Sequence, residues 1–271
     1  MPIHICDTCG TSYPDTRDPP SACMICEDER QFVPRSGQAW TTPSKLAAGH
    51  ANAWRKLEED LFEIHTQPAF AIGQRALLLQ TPRGNVLWDC VALFDEATEA
   101  LLRALGGLAA IAISHPHYYT CMQDWARAFG CPIHLHAADA EWVARGDPAI
   151  RHWHGETLEI APGVTLLRLG GHFPGGTVLH WADGAASRGV LLSGDIVQVA
   201  ADLNRVSFLW SYPNMMPLSG ATVQRIADTL KPWAFDRIYG AFPGRQVMAD
   251  GAGVVQRSAA RYVDLLDGWQ A

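Results

Sequence analysis

No apolar run in this chain approaches the roughly 20 residues that a membrane-spanning helix needs, which argues against a helical membrane anchor. The opening, Met1-Pro2-Ile3-His4-Ile5-Cys6, lacks the basic-then-apolar pattern of a secretory signal. Positive charge is also in deficit: 21 Lys and Arg face 28 Asp and Glu, for a formal net charge of −7. Such a balance gives no electrostatic footprint for a phosphate backbone, so nucleic acid is not an expected partner. Internal repeats and low-complexity tracts are missing too. With 48% hydrophobic and 18% charged residues the composition is that of a globular protein. At 271 residues the chain can bury one large core, or one core plus a small appendage. Seven cysteines without a secretory signal point to a reducing compartment, where thiols bind metal or stay reduced, and the cytoplasm is the expected location.

Four of those cysteines fall in a short segment unlike the rest, rich in Cys, Asp, Pro and Arg and poor in apolar periodicity. Cys6-x-x-Cys9 and Cys23-x-x-Cys26 form matched pairs, each able to make a tight turn, and four thiolates close a tetrahedral zinc site. Gly10 follows the first pair, where such a turn needs a positive φ. Residues 1–36 therefore resemble a zinc ribbon and, less closely, rubredoxin. A segment this small cannot fold on apolar burial alone, so a structural Zn2+ would supply its stability.

Residues 37–59 read as a linker followed by helical pieces that start at Ser44 or Asn52. Strands are expected at Leu61–Thr66, Ala69–Ile72, Ala76–Gln80 and Asn85–Asp89, the last two joined through Pro82-Arg83-Gly84. An amphipathic helix over Asp95–Leu105 would bury Ala97, Ala100, Leu101 and Leu105. Further helices are expected at Met122–Phe129, Thr222–Leu230 and Val254–Leu266. Strands at Ile133–His136, Val164–Leu169, Thr177–Trp181, Val190–Leu192 and Phe235–Tyr239 lie among them. This alternation fits an α/β sandwich.

The apolar run Leu108–Ile113 ends in Ser114-His115-Pro116-His117-Tyr118-Tyr119-Thr120. Histidines at i and i+2 of an extended chain point the same way and can reach one metal. His172, in Gly170-Gly171-His172, and Asp195, in Ser193-Gly194-Asp195, also follow strand-like runs. This constellation resembles the metallo-β-lactamase-fold hydrolases, a superfamily that includes glyoxalase II and the persulfide dioxygenases. Its motif is His-x-His-x-Asp-His, then Gly-His, a bridging Asp and a final His. His115, His117, His172 and Asp195 match four of these positions. Tyr119-Thr120 stands where Asp-His is expected, and Arg237–Phe242 contains no final His. The resemblance, carried by roughly residues 60–245, implies a four-layer αβ/βα sandwich over 60–271. It also implies one cleft metal, Zn2+ or Fe2+, held by those four residues.

Three imidazoles and a carboxylate leave an open coordination position. The expected activity is hydrolysis of an ester, thioester or lactone of a small-molecule substrate by metal-activated water. Loss of second-site ligands argues against β-lactam hydrolysis. Asp195 is a candidate catalytic residue, and Tyr119 either donates a hydrogen bond to an oxyanion or fills the vacated site. Two alternatives stay open. One is a non-catalytic or regulatory module whose ribbon docks a partner. The other is a mononuclear Fe(II) oxygenase resembling the persulfide dioxygenases, with His115, His172 and Asp195 as a facial triad. The apolar loop Ser211–Leu218 reads as a substrate lid, a buried connection or a contact within a homo-oligomer, and Asn214 is its candidate substrate contact. His134, His136 and His180 read as sheet histidines, Cys121 as a buried inert thiol near the motif, and Trp40 and Trp54 as packing for the ribbon.

Overall fold

The computed structural model describes residues 1–268, so the last three residues of the expected 60–271 domain lie outside the described residues. The chain divides into two compact units, one from Met1 to Trp153 and one beginning at His154. Among the described residues, no helix is long and apolar enough to cross a membrane.

The first unit opens with a small three-stranded sheet, in which His4–Cys6 pairs antiparallel with Ser12–Tyr13 and with Trp40–Thr41. Its core is the four cysteines with Tyr13 and Ile25, and Trp40 and Trp142 pack against them. Tyr13 meets Trp40 edge-on, ring centroids 5.1 Å apart. Trp54 instead sits in the main sheet, opposite Ile64.

A seven-stranded sheet makes up the rest of this unit. Its edge strand, Ala51–Glu58, replaces the helix expected there. The helix stops early, at Pro43–Gly49, with Thr42 as its N-cap and Pro43 at its first position. Residues 51–58 pair with Leu61–Gln67, and that ladder outweighs helix propensity. The expected strand at Ala69–Ile72 is a turn, with Ala71 at φ +54° and Gly73 at φ +72°, joining Leu61–Gln67 to Arg75–Leu79. Helix Glu96–Ala104 is capped by Asp95, but it buries Thr98 and Leu102 and leaves Leu101 46% exposed. The apolar pattern misplaced that face because the helix is mostly solvated, and its inner stripe is one residue per turn. Strands Val86–Trp88, Ala110–Ala112 and Ile133–His136 run parallel at the centre, and helix Met122–Phe129 connects the last two.

The second unit is built on a six-stranded sheet containing Thr157–Ala161, Val164–Arg168, Thr177–Trp181, Val190–Gly194, Arg237–Gly240 and Gln246–Val247. Helices Gly220–Leu230 and Gly251–Leu266 bury Val223, Ile226, Val254 and Val255 in the same apolar cluster as Leu191 and Ile238 of the sheet. Short hairpins follow Asp195: Gln198–Val199 pairs with Val206–Ser207, and Leu209–Ser211 with Met216–Pro217.

Candidate metal centres

The cysteine pairs fold as the sequence spacing requires. Gly10 N–H donates to Cys6 O at 2.9 Å and Glu27 N–H to Cys23 O at 3.0 Å, so both pairs close the same five-residue turn. Gly10, at φ +82°, exits the first turn in a conformation that favours glycine. The sulfurs of Cys6 and Cys26 are 3.6 Å apart and those of Cys9 and Cys23 are 3.5 Å apart. A tetrahedral ion with bonds of about 2.3 Å to sulfur would hold them about 3.8 Å apart. Donors converge on the cluster: Gln38 Nε2 lies 3.1 Å from Cys6 Sγ, and the Tyr13 hydroxyl 3.4 Å from Cys23 Sγ. Hydrogen bonds from its sulfur neighbours lower the Cys6 thiol below its ordinary range, while burial raises that of Cys9. Four adjoining sulfurs cannot all ionise without a cation, and this donor set fits Zn2+.

The second group is assembled from longer-range parts. One ligand atom from each of His115, His117, His172 and Asp195 lies within 4.8 Å of every other, and all four residues are buried. Strand Ala110–Ala112 leads through Ile113 and Ser114 to His115, which caps a single helical turn, Pro116–Tyr118, that has Pro116 at its start and carries His117. That turn is why the His-x-His pair is not a simple continuation of the strand.

Asp89 was not legible as part of the site. It follows strand Val86–Trp88, whose parallel register sets Trp88 opposite Ala112. At φ +61° it turns its carboxylate onto the histidine loop. Oδ1 accepts the Ser114 N–H at 2.7 Å and Oδ2 accepts the Ser114 hydroxyl at 3.0 Å. With its own proton directed at a carboxylate, Ser114 Oγ accepts from His115 Nδ1 at 2.9 Å. The proton of neutral His115 is thereby fixed on Nδ1, and Nε2 keeps its lone pair for a metal. A carboxylate just past a buried strand was the available signal.

In the second unit, His172 is oriented by the same logic with different partners. Its Nδ1 lies 2.7 Å from Trp210 O and 3.2 Å from Leu209 O. Carbonyls only accept, so Nδ1 carries the proton and Nε2 the lone pair. Gly171, at φ +86°, allows the close approach: an added Cβ would come within 3.0 Å of Ile226 and Leu218. Asp195 Oδ1 accepts from Gln198 Nε2 at 3.2 Å, and Tyr212 donates its hydroxyl to Asp195 O at 2.8 Å. Tyr212 also packs edge-on against the His172 ring, with centroids 5.5 Å apart. Burial pushes the Asp195 carboxyl up to about 7, so its ionised form needs a nearby cation. Three imidazoles and one carboxylate suit Zn or Fe.

The remaining candidates fall outside this group. Tyr119 is 4% exposed, and its hydroxyl donates to Asp139 O at 3.3 Å, which supports the packing alternative rather than an oxyanion donor. Cys121 accepts from Trp125 Nε1 at 3.2 Å and contacts Val91 O at 3.3 Å, and burial raises its thiol to about 12. His136 accepts from Ala138 N–H at 3.1 Å. Asn214 lies on the exposed end of the hairpin that supplies the Leu209 and Trp210 carbonyls.

No family model matches the chain. The uncharacterized protein YmaE of Bacillus subtilis (strain 168) is 49% identical over 269 residues, covering 98% of each chain. Among solved structures, DIM-1 metallo-β-lactamase matches with a TM-score of 0.59 at 14% identity, covering 78% of this chain and 96% of its own. A B3 metallo-β-lactamase with an active-site glutamic acid matches with a TM-score of 0.54 at 17% identity, covering 89% and 96%. TTHA1623 in a di-iron-bound form matches with a TM-score of 0.52 at 20% identity, covering 72% and 97%. At these identities the likeness is one of fold.

Proposed function

The chain belongs to the family of Bacillus subtilis YmaE and has the metallo-β-lactamase fold; from that premise we propose that it is a metal-dependent hydrolase with one metal in the cleft. The substrate class is an ester, thioester or lactone. One observation carries the reading: four buried ligand atoms, from His115, His117, His172 and Asp195, gathered within 4.8 Å. When bound there, Zn2+ or Fe2+ supplies a Lewis acid and lowers the pKa of water to about 7.

The protein's own residues then divide the work. His115 and His172 present Nε2 because their Nδ1 protons are committed to Ser114 and to backbone carbonyls. Asp195 supplies the negative charge of the donor set and is aimed by Gln198. His117 completes the set. Asn214, on the hairpin that orients His172, is the proposed substrate contact. The four-cysteine segment is a structural Zn2+ ribbon, and the reducing cytoplasm its location.

A panel of ester, thioester and lactone substrates, tested with Zn2+- and with Fe2+-loaded protein, puts this to the test. Turnover of one class that disappears in His172→Ala is the expected result. Absence of turnover across the panel, with both centres loaded, would remove the hydrolase reading in favour of a non-catalytic module. The Fe(II) oxygenase alternative rests on the same donor set. Oxygen uptake by the iron-loaded protein would select it.

A further inference from the structure

Within the first unit, the cysteine turn is tied to the loop that carries His115 and His117. Ser12, three residues past Cys9, is 2% exposed. Its N–H donates to Thr120 O at 3.0 Å and its hydroxyl donates to the same oxygen at 2.5 Å. Gly10 packs closely on Ala92, where an added Cβ would sit 3.1 Å from Ala92 Cβ, and the same Cβ would lie in ordinary contact with Thr120 Cγ2, at 3.5 Å. Thr120 has φ +28°, a region that β-branched residues avoid and that persists only where neighbours over-determine it. Its own hydroxyl donates to Val91 O at 3.2 Å. Thr120 also stands at one of the two positions where the resemblance expects second-metal ligands. Here that position has become the seat of the ribbon.

We infer that the ribbon is a clamp on the histidine loop, with Ser12 as the positioning residue. By holding Thr120 in its strained conformation, the ribbon fixes the short segment back to His117 and His115. Filling the four-cysteine site therefore raises the metal affinity of the His/Asp site. By linkage, filling the His/Asp site raises the affinity of the sulfur site by the same factor. The inference rests on reading His115, His117, His172 and Asp195 as ligands.

Co2+ tests it on the full-length chain, because cobalt–thiolate charge-transfer bands report the ribbon and weaker visible bands the His/Asp site. In Ser12→Ala the ribbon should titrate as in the wild type, while Co2+ affinity at the His/Asp site falls about tenfold. Amide exchange across residues 115–121, measured with the ribbon filled, should accelerate. Adding Thr120→Gly removes the steric cost of the positive φ and should restore most of the lost affinity. An affinity unchanged in Ser12→Ala with a filled ribbon would overturn the clamp, as would a double variant with no recovery. If the wild type binds Co2+ only at sulfur, the hydrolase reading fails. Amide exchange then decides the clamp alone: acceleration supports it and no change overturns it.

Discussion

The two candidate centres sit in one chain but are made in opposite ways. All four sulfur ligands lie between residues 6 and 26, on two copies of one turn, and their core consists largely of the cysteines themselves. The imidazole and carboxylate ligands are spread from residue 115 to residue 195, and hydrogen bonds aim three of them before any ion arrives. In the ribbon, an ion would supply the fold; in the His/Asp group, the fold supplies the site. Removing an ion should therefore cost structure in one region and little beyond activity in the other.

The largest expected effect follows from the ribbon side. Cys6→Ser/Cys9→Ser should lose the ribbon metal and with it free energy on the order of 10 kcal/mol of local stabilisation. Limited proteolysis should then cut within residues 1–36, and a ribbon as resistant as the wild type would show that apolar packing suffices there. The counterpart is His172→Ala, which should lose the second metal and any hydrolysis while keeping the first. Compared metal-free, its Tm should lie within about 4 °C of the wild type, the scale of ~1 kcal/mol for a chain of this size. A collapse of the fold would erase the contrast.

A subtler substitution separates pre-aiming from mere proximity. In Asp89→Asn, the amide nitrogen would donate to Ser114 Oγ, so the serine proton would turn toward His115 Nδ1. The imidazole proton would then move to Nε2 and block the ligand lone pair. Metal affinity at this centre should fall roughly 10- to 100-fold with the ribbon metal retained. Equal affinity in a competition titration would mean that the Asp89–Ser114–His115 relay does not set the tautomer.

The smallest effect concerns histidines outside both centres. Burial, the larger cause, lowers the pKa of His134 in the first unit and of His180 in the second below the ordinary 6.5. His180 Nε2 lies 2.7 Å from Ala234 O, a contact that keeps one proton on that nitrogen. An unfolded chain takes up protons at these positions that the folded chain refuses. Stability is therefore lost as pH falls through about 6.5, and the loss ends below the folded pKa. Between about pH 7.5 and about pH 5.5, the urea midpoint of His180→Asn should drop less than that of the wild type. Parallel curves would assign the acid sensitivity elsewhere.

What the sequence disclosed follows the same divide between local and distant causes. The cysteine turns were legible because spacing alone determines them, and the parallel strands because unbroken apolar runs mark them. The strand Ala51–Glu58 was hidden because its partner, Leu61–Gln67, decides its conformation, and Trp54, Arg55 and Lys56 carry no alternation that a single chain reveals. His115 and His117 were legible from their spacing at a strand end, while joining His172 and Asp195 to them as one ligand set took a resemblance. The aim of the side chains depends, within the first unit, on the register that brings Trp88 beside Ala112 and, within the second, on the hairpin that turns Trp210 O toward His172. Asp89 and Ser114 escaped notice for that reason: neither belongs to a motif, and their role exists only once two strands lie side by side. Tyr119 stayed open between an oxyanion donor and a filler of the vacated position, because the Asp139 carbonyl that its hydroxyl meets is twenty residues away and is brought to it only by the fold.

Metal content per chain of anaerobically purified protein, measured by elemental analysis beside His172→Ala, bears most directly on the claim that two separate centres coexist. The account predicts two metals per wild-type chain, one of them zinc, and one in the variant. A single metal in both proteins would contradict it, because the His/Asp group would then hold none.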